Sequence, residues 1–201
     1  NGGTEALSDE VRRDLQAKHG LGAWTISGAF FGPSMEAIQP QIDRVVAHFG
    51  ASGKARYIDH DTAAGMPPLK TAIDSFSGVP TQQELGLLKW RPGGGNAWCV
   101  PGTPMDGKVA NRFQHVARAI YAKHGMDYMI MNVLSARFMR GLHVIPFNRE
   151  SADECARAKA CYEELTDAFA AEGVHVGRAP TDFYDYHMAK AMPAFREACN
   201  A

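Results

Sequence analysis

Apolar positions recur at helical spacing in several stretches of the chain, and strand-like runs of aromatic and β-branched residues lie between them. The first part predicts a helix that Ser8 caps and Gly20 closes, followed by a strand over 24–31. The next predicted helix starts later than Ser34, because Pro40 is unfavourable inside it, and a second strand covers 55–58. Proline and glycine breaks between 60 and 95 indicate a long connection with one short helix near 82–88.

The alternation of strand-like and helix-like patterns begins again after residue 95. It predicts a short strand over 96–100, a helix that Gly125 closes, apolar strands over 128–134 and 142–147, and a helix from the Ser151 capping box to Gly173. A last strand over 174–176 and a helix from Thr181 to about 198 complete the pattern. Two such units in tandem predict an α+β fold, with an antiparallel sheet and helices packed mainly on one face, similar to two fused ferredoxin-like halves. The other face needs a cover, which a further domain would supply, and we expect a large apolar patch there.

Composition narrows the classes of function. The chain has 201 residues and a formal net charge of −1, without a basic stripe, so we expect no nucleic-acid partner. No apolar run approaches the roughly 20 residues of a membrane span, and no signal-peptide pattern is visible, so we expect no membrane partner and a cytoplasmic protein. The four cysteines lack CxxC spacing and are interpreted as reduced, mostly buried thiols.

Three successive glycines, Gly93, Gly94 and Gly95 (the glycine run), are the strongest local signal. They let backbone approach a ligand closely and offer N–H groups, although a flexible turn is an equally good interpretation. The run is not a P-loop, because no Gly-Lys-Ser/Thr follows it. It is not a dinucleotide-binding fingerprint either, because it opens a strand rather than a helix.

Several other polar or aromatic features have both a functional and a structural interpretation. Arg178, at the end of the last predicted strand, can hold an anion or a flavin carbonyl, although a surface ion pair is the commoner use of such a residue. His143 can act as a base, although a core histidine is commoner in so apolar a strand. A solvated turn is favoured over a metal site for Asp59–Asp61, and we expect no metal. Core packing, with one face open to an aromatic substrate, is expected for Phe183, Tyr184, Tyr186 and His187.

The stretch from the glycine run to the C-terminus resembles the C-terminal part of the vanillyl-alcohol oxidase and p-cresol methylhydroxylase family. The first 60 residues fit the cap strand–helix–strand unit of that family more loosely, so the resemblance spans most of the chain. The matching stretches are, in chain order, Gly78–Thr81 with Glu84-Leu85, the glycine run with Pro101, Lys123–Tyr128, Phe147–Glu150, Ala158, Ala160-Cys161, Ala171–Gly173 and Arg178.

The resemblance implies a two-domain flavoprotein in which residues 1–201 form the substrate-binding cap domain. An N-terminal FAD-binding domain of the same parent protein would be its partner, and we expect a fragment of that protein because both ends of the sequence read as cut. Members of the family oxidise para-substituted phenols by transferring a hydride from the benzylic carbon to flavin N5, and water attacks the resulting quinone methide or it rearranges. Relatives form dimers and larger assemblies, so a homo-oligomer is a further expectation.

The sequence departs from the family pattern at three positions. Many members carry a His or Tyr after the glycine run that is covalently attached to FAD, whereas Asn96 stands there in this chain, so we expect FAD that is non-covalent or attached only through the other domain. Gly177 replaces a Tyr that helps to bind the phenolate, while Arg178 remains and can stabilise a phenolate or the negative charge at flavin N1–C2=O. Val144 takes the place of an active-site acid or base, and His143 is its neighbour.

One main hypothesis and two alternatives follow. The main hypothesis is an FAD-linked oxidase or dehydrogenase acting on a small phenolic or benzylic alcohol, with Arg178 and His143 as candidate catalytic residues and Gly94, Gly95, Asn96 and Arg178 as cofactor contacts. The first alternative is a stand-alone ferredoxin-like module that binds a ligand or a partner without catalysis. The second is a parent protein that has lost its activity, as the residues at 96 and 177 would allow.

Overall fold

The computed structural model describes residues 5–20, 22–80, 82–176, 179–190 and 197. The chain divides into two compact units, one over residues 8–86 and one made of the residues on either side of that range. Among the described residues, no helix combines the length and the apolar character that crossing a bilayer requires.

The unit over residues 8–86 is built from helices. Ser8 Oγ accepts the N–H of Val11 at the start of α1, and Gly20 ends that helix in the left-handed conformation, as predicted. Helix α2 begins directly after Ser34 and accommodates Pro40 in its interior. The helices are α1 (Asp9–His19), α2 (Met35–Gly50), α3 (His60–Ala64) and α4 (Pro67–Phe76), followed by a 3₁₀ helix (Gln83–Trp90) that continues into the second unit.

The predicted later start of α2 is wrong, since the helix begins at Met35 and contains Pro40, and two further predictions for this unit are wrong as well. Residues 24–31 and 55–58 do not form strands, because a strand exists only where a neighbour completes its hydrogen-bond ladder, and the ladders among the described residues all lie in the second unit. The stretch from 60 to 95 is not one long connection either. Pro67 opens α4 instead of breaking a helix, because a helix leaves its first N–H groups without an internal partner anyway.

The second unit contains an antiparallel sheet of four strands that are centred on β4. The strands are β1 (Gly95–Cys99), β2 (Gly102–Pro104), β3 (Met129–Leu134) and β4 (Phe138–Phe147). Strands β1 and β2 pair with successive parts of β4 along one edge, while β3 pairs along the other. Pro101, between β1 and β2, forms an isolated bridge with Val176, which is what remains of the strand predicted over 174–176. The resulting order across the sheet is that of a ferredoxin-like βαββαβ unit, so the predicted fold class is confirmed for this half.

Two helices cover one face of this sheet. They are α5 (Gly107–Lys123), capped by Asp106, and α6 (Ala152–Ala171), where Ser151 Oγ accepts the N–H of Glu154. Ile145 of β4 and Cys99 of β1 point into the layer between sheet and helices, where they form the core with Phe113, Ala117, Ile120, Tyr121, Ala158, Cys161, Tyr162, Leu165 and Phe169. A 3₁₀ turn (Thr181–Phe183) leads into α7 (Tyr184–Lys190). A helix was predicted to extend to about residue 198, and beyond 190 only residue 197 belongs to the described residues.

The opposite face of the sheet is partly exposed. Directly paired residues of neighbouring strands point to the same side, so the pairs Trp98–Val144 and Met131–Leu142 share the face opposite to Ile145. Val144 in the centre is buried, whereas Trp98, Met131, Val133 and Phe138 leave 36–54% of their surface exposed. This face, called the open sheet face below, confirms the expectation of an exposed apolar patch.

Candidate functional site

The glycine run is a tightly packed turn rather than a flexible one. Gly93 and Gly94 have φ values of 73° and 61°, which L side chains rarely adopt, and the N–H of Gly94 donates to the carbonyl of Arg91 at 3.2 Å. A Cβ atom on Gly93 would lie 2.1 Å from Asn148 Oδ1, and one on Gly95 would lie 2.6 Å from the Phe147 ring. Glycine is therefore required here by contacts with the chain's own 147–149 segment, whatever else the run contacts.

Asn96 follows the glycine run and lies on the open sheet face. It is paired with Pro146 in the register of β1 and β4, two residues from Trp98, which therefore points to the same side. The indole Nε1 of Trp98 donates to Asn96 Oδ1 at 2.8 Å. The amide is thus oriented by its neighbour on a half-exposed surface, where it can hydrogen-bond to a bound group.

A buried ionic cluster precedes the glycine run, and sequence reasoning missed it. Asp127 Oδ2 lies 3.1 Å from Arg91 Nη2 and accepts the indole N–H of Trp90 at 2.9 Å, while Oδ1 accepts the N–H of Leu7 at 2.7 Å. The side chains of Arg91 and Asp127 are only 1% and 4% exposed. One feature of the sequence could have indicated this cluster, namely an aspartate inside the family stretch Lys123–Tyr128, directly before an apolar strand. A charge that is buried at such a position requires an oppositely charged or hydrogen-bonding partner.

His143 points away from the open sheet face. It pairs with Cys99 in the register, and its ring lies between those of Phe169 and Tyr128, at centroid distances of 5.2 and 6.3 Å. Burial lowers the pKa of His143 to about 4, so the imidazole is neutral at physiological pH. This placement agrees with the core-histidine interpretation, and it puts His143 and Asn96 on opposite sides of the sheet.

The remaining candidates are Arg178 with Gly177, the 59–61 segment and the C-terminal aromatic group. Arg178 and Gly177 lie outside the described residues, so the placement predicted for the arginine stays a prediction. Asp59 caps α3 by accepting the N–H of Thr62, which lowers its pKa, and no group of three possible metal ligands occurs among the residues that the structure describes. The C-terminal aromatic group packs mainly on α6, where the ring of Phe183 contacts that of Tyr162 at a centroid distance of 4.3 Å and a tilt of 42°.

Two of the stretches that carry the family resemblance are in contact in the structure. The glycine run packs on Phe147–Arg149, and Arg149 Nε donates to the carbonyl of Gly93 at 2.7 Å. A third stretch supplies Asp127, which holds Arg91 two residues ahead of the run. These three stretches, separated by about 20–56 positions in sequence, therefore form one structural neighbourhood beside Asn96.

Sequence and structure comparisons with known proteins find similar enzymes. No family model matches the chain. The 4-cresol dehydrogenase (hydroxylating) flavoprotein subunit of Pseudomonas putida is 33% identical over 177 residues, which are 88% of this chain and 34% of that subunit. The structure of p-cresol methylhydroxylase with substrate bound matches with a TM-score of 0.92 and 30% identity over 98% of this chain and 38% of that one. The 4-ethylphenol oxidase from Gulosibacter chungangensis, in a complex with isoeugenol, matches in fold with a TM-score of 0.89 at 20% identity, over 94% of this chain and 37% of that one.

The chain thus spans about a third of the length of these relatives. The match in fold extends over nearly the whole chain, including the first 60 residues, where the sequence resemblance is loose. Both the fold class and the family expected from the motifs are confirmed. Over the region that it covers, the chain belongs to the vanillyl-alcohol oxidase and p-cresol methylhydroxylase family of FAD-linked oxidases.

Proposed function

We propose that this chain is the substrate-binding cap of an FAD-dependent oxidoreductase that oxidises a small phenolic or benzylic alcohol by hydride transfer to FAD. The supporting observation is the combined match in sequence and fold to p-cresol methylhydroxylase, at a TM-score of 0.92 and 30% identity. The partner would be the FAD-binding domain of the same parent protein, with a homo-oligomer as the assembled form.

The open sheet face has the chemistry that a flavin ring system needs. The dimethylbenzene side of the ring is flat and apolar, and the face offers Trp98, Met131 and Val133, while Arg140, paired with Val133, adds an exposed cation on the same side. Asn96, oriented by Trp98, adds a polar group at the edge of this surface. An amide side chain cannot take the place of the His or Tyr that links FAD covalently, so we propose that FAD is held without a bond at this position.

The residues of the chain would bind and orient rather than carry the redox step. FAD, when bound, would supply the hydride acceptor. The open sheet face would cover the ring and exclude water, which strengthens the electrostatic interactions at the reacting centre. Arg178 would stabilise the negative charge of a phenolate, as the family pattern implies. We propose no proton transfer for His143, because it lies on the helix-covered side.

The test uses the full-length parent protein. We expect a flavin absorption spectrum whose chromophore stays in the supernatant after acid precipitation, and we expect 4-cresol to bleach that spectrum under anaerobic conditions while toluene, which lacks the hydroxyl group, does not. Flavin in the pellet would show a covalent link, and this link would refute the role given to Asn96 if the peptide that carries it contained this position. Folded protein that takes up no FAD would instead favour the ligand- or partner-binding module, and bound flavin without bleaching by any phenol would favour a lost activity.

A pair of variants tests the open sheet face directly. Trp98→Ala removes an aromatic ring from this face, so we expect the dissociation constant of FAD to rise about ten-fold, since an aromatic contact and its buried area contribute on the order of 1–2 kcal/mol. Tyr184→Ala removes an exposed ring from α7, away from the sheet, and serves as the control. Equal FAD affinity in the two variants would remove this face from the cofactor site.

A further inference from the structure

We infer that Arg149 is a positioning residue for the flavin contact at Asn96, and that it acts through the glycine run. The inference rests on the proposed function, because it takes Asn96 and the open sheet face as the surface that meets FAD. It gives a role to the Phe147–Glu150 stretch, which the sequence marks as a family feature and to which the proposed function assigns no role.

The chain entering the glycine run is fixed by Asp127. Its carboxylate holds Arg91 at 3.1 Å and Trp90 at 2.9 Å, and both members of the ion pair are buried. A buried, charge-assisted contact of this kind has a well-defined geometry, because moving either group away gives up a strong contact inside the protein. Arg91 therefore provides a fixed point two residues before Gly93.

The middle of the run is held by Arg149. Its Nε donates to the carbonyl of Gly93 at 2.7 Å, and its Cγ would lie 2.7 Å from a Cβ on Gly95, so the side chain lies against two of the three glycines. The turn that carries Arg149 is itself fixed, because the buried Glu154 carboxylate accepts the N–H of Asn148 at 2.9 Å. The arginine thus connects a rigid turn to the backbone of the run.

The position of Asn96 depends on this connection. Gly94 has a positive φ and Gly95 begins β1, so the path of the chain between Gly93 and Asn96 is a short, strongly bent piece of backbone. Glycines do not restrict φ and ψ by themselves, so contacts from outside must select one conformation. Pairing with β4 holds Gly95 and Asn96 in the sheet, and Arg149 fixes the carbonyl of Gly93 just before this ladder begins. Without Arg149, we expect this carbonyl to rotate and the start of β1, with Asn96, to shift.

This contact differs in kind from the ion pair at Asp127. Arg149 is exposed, and exposed charged contacts contribute little to folding stability. Removing the side chain should therefore disturb the flavin contact far more than it disturbs the fold. That separation makes a positioning role measurable.

The experiment compares Arg149→Met, Arg149→Lys and the control Arg137→Met in the full-length parent protein, since Arg137 is an exposed arginine in the turn between β3 and β4. For Arg149→Met we expect a dissociation constant for FAD at least about ten-fold higher, with a shifted flavin absorption maximum, as the loss of a charge-assisted hydrogen bond predicts. The melting temperature of the FAD-free protein should stay close to that of the wild type. Lysine, which also donates to a carbonyl, should restore part of the affinity, and the control should match the wild type.

The outcomes separate this inference from the proposal on which it rests. FAD binding within two-fold of wild type and an unshifted spectrum in Arg149→Met would overturn the inference and leave the proposed function standing. A weaker affinity accompanied by a large fall in the melting temperature of the FAD-free protein, with no rescue by lysine, would show a structural role and also overturn it. Wild-type protein that binds no FAD would overturn both.

Discussion

Replacing Asp127 by asparagine is the sharpest test of the buried ionic cluster. The carboxylate uses both oxygens: Oδ2 faces Arg91 and the indole of Trp90, and Oδ1 accepts the N–H of Leu7. An asparagine amide has one acceptor oxygen and one NH₂ group, so in either orientation a donor faces another donor. The positive charge of Arg91, only 1% exposed, also loses its contact with the negative charge of Asp127.

The magnitude follows from this geometry. Removing one partner of a buried ion pair costs about 3–5 kcal/mol, because the remaining charge stays buried and uncompensated. Asparagine keeps one acceptor, so we expect the lower end, about 3 kcal/mol. In a cooperative unit of 201 residues, the length of this chain, each kcal/mol corresponds to a fall of about 2–4 °C in melting temperature, which gives a fall of about 6–12 °C for the unfolding transition of this chain within the parent protein.

The assay is thermal unfolding of the parent protein, followed by circular dichroism, with Asp153→Asn as the control. Asp153 also pairs with an arginine, Arg157, but its side chain is 77% exposed, so its loss should change stability by less than about 1 kcal/mol. A double variant with Arg91→Met should be less destabilised than the sum of the two single changes. A fall of the Asp127→Asn melting temperature no larger than that of the control would refute the reasoning.

Three further predictions concern the core and the glycine run. Burial lowers the pKa of His143 from 6.5 to about 4, so the folded state binds fewer protons than the unfolded state between these values, and stability should fall as the pH drops through this window. In His143→Leu the urea midpoint should lose this part of its pH dependence, and an unchanged dependence of the midpoint on pH would contradict the placement. Burial raises the pKa of Cys99 to about 12, so a thiol reagent should label the half-exposed Cys155 in the native protein and leave Cys99 unmodified. Peptide mapping would measure this, and a rapidly labelled Cys99 would argue against its burial. Gly95→Ala should lower the free energy of unfolding by about 1–3 kcal/mol through overpacking on the 147–149 segment. Gly102→Ala, where a Cβ meets nothing within 4 Å, should be nearly neutral, and similar melting temperatures of the two variants would count against this packing.

The sequence predicted the second unit well because its elements have strong local signals. The helix faces of α5 and α6, the apolar runs of β3 and β4 and the Ser151 cap each follow from a period or a cap residue within one stretch. The glycine run was identified as important, and its structural requirement became clear only from the 2–3 Å approach of Phe147 and Asn148. A requirement set by a segment more than 50 residues away has no local signature.

The failures have the same physical origin. Residues 24–31 have strand composition, but forming a strand depends on a ladder partner that composition does not specify. The cluster at Asp127 joins residues 7, 90, 91 and 127, and no periodicity relates such positions. The side of the sheet that His143 faces depends on a register in which a shift of one residue would have exchanged it with Val144.

The packing of the glycine run against the 147–149 segment has a consequence for exchanging parts between relatives. A side chain at position 95 would occupy space now filled by Phe147 and Arg149, and one at 93 would collide with Asn148. These positions are therefore mutually dependent, and substitutions at one are compatible only with matching changes at the others. A chimera that imports the residues around Asn96 from another family member, for instance to introduce a covalent attachment point, must import the turn between β4 and α6 with them.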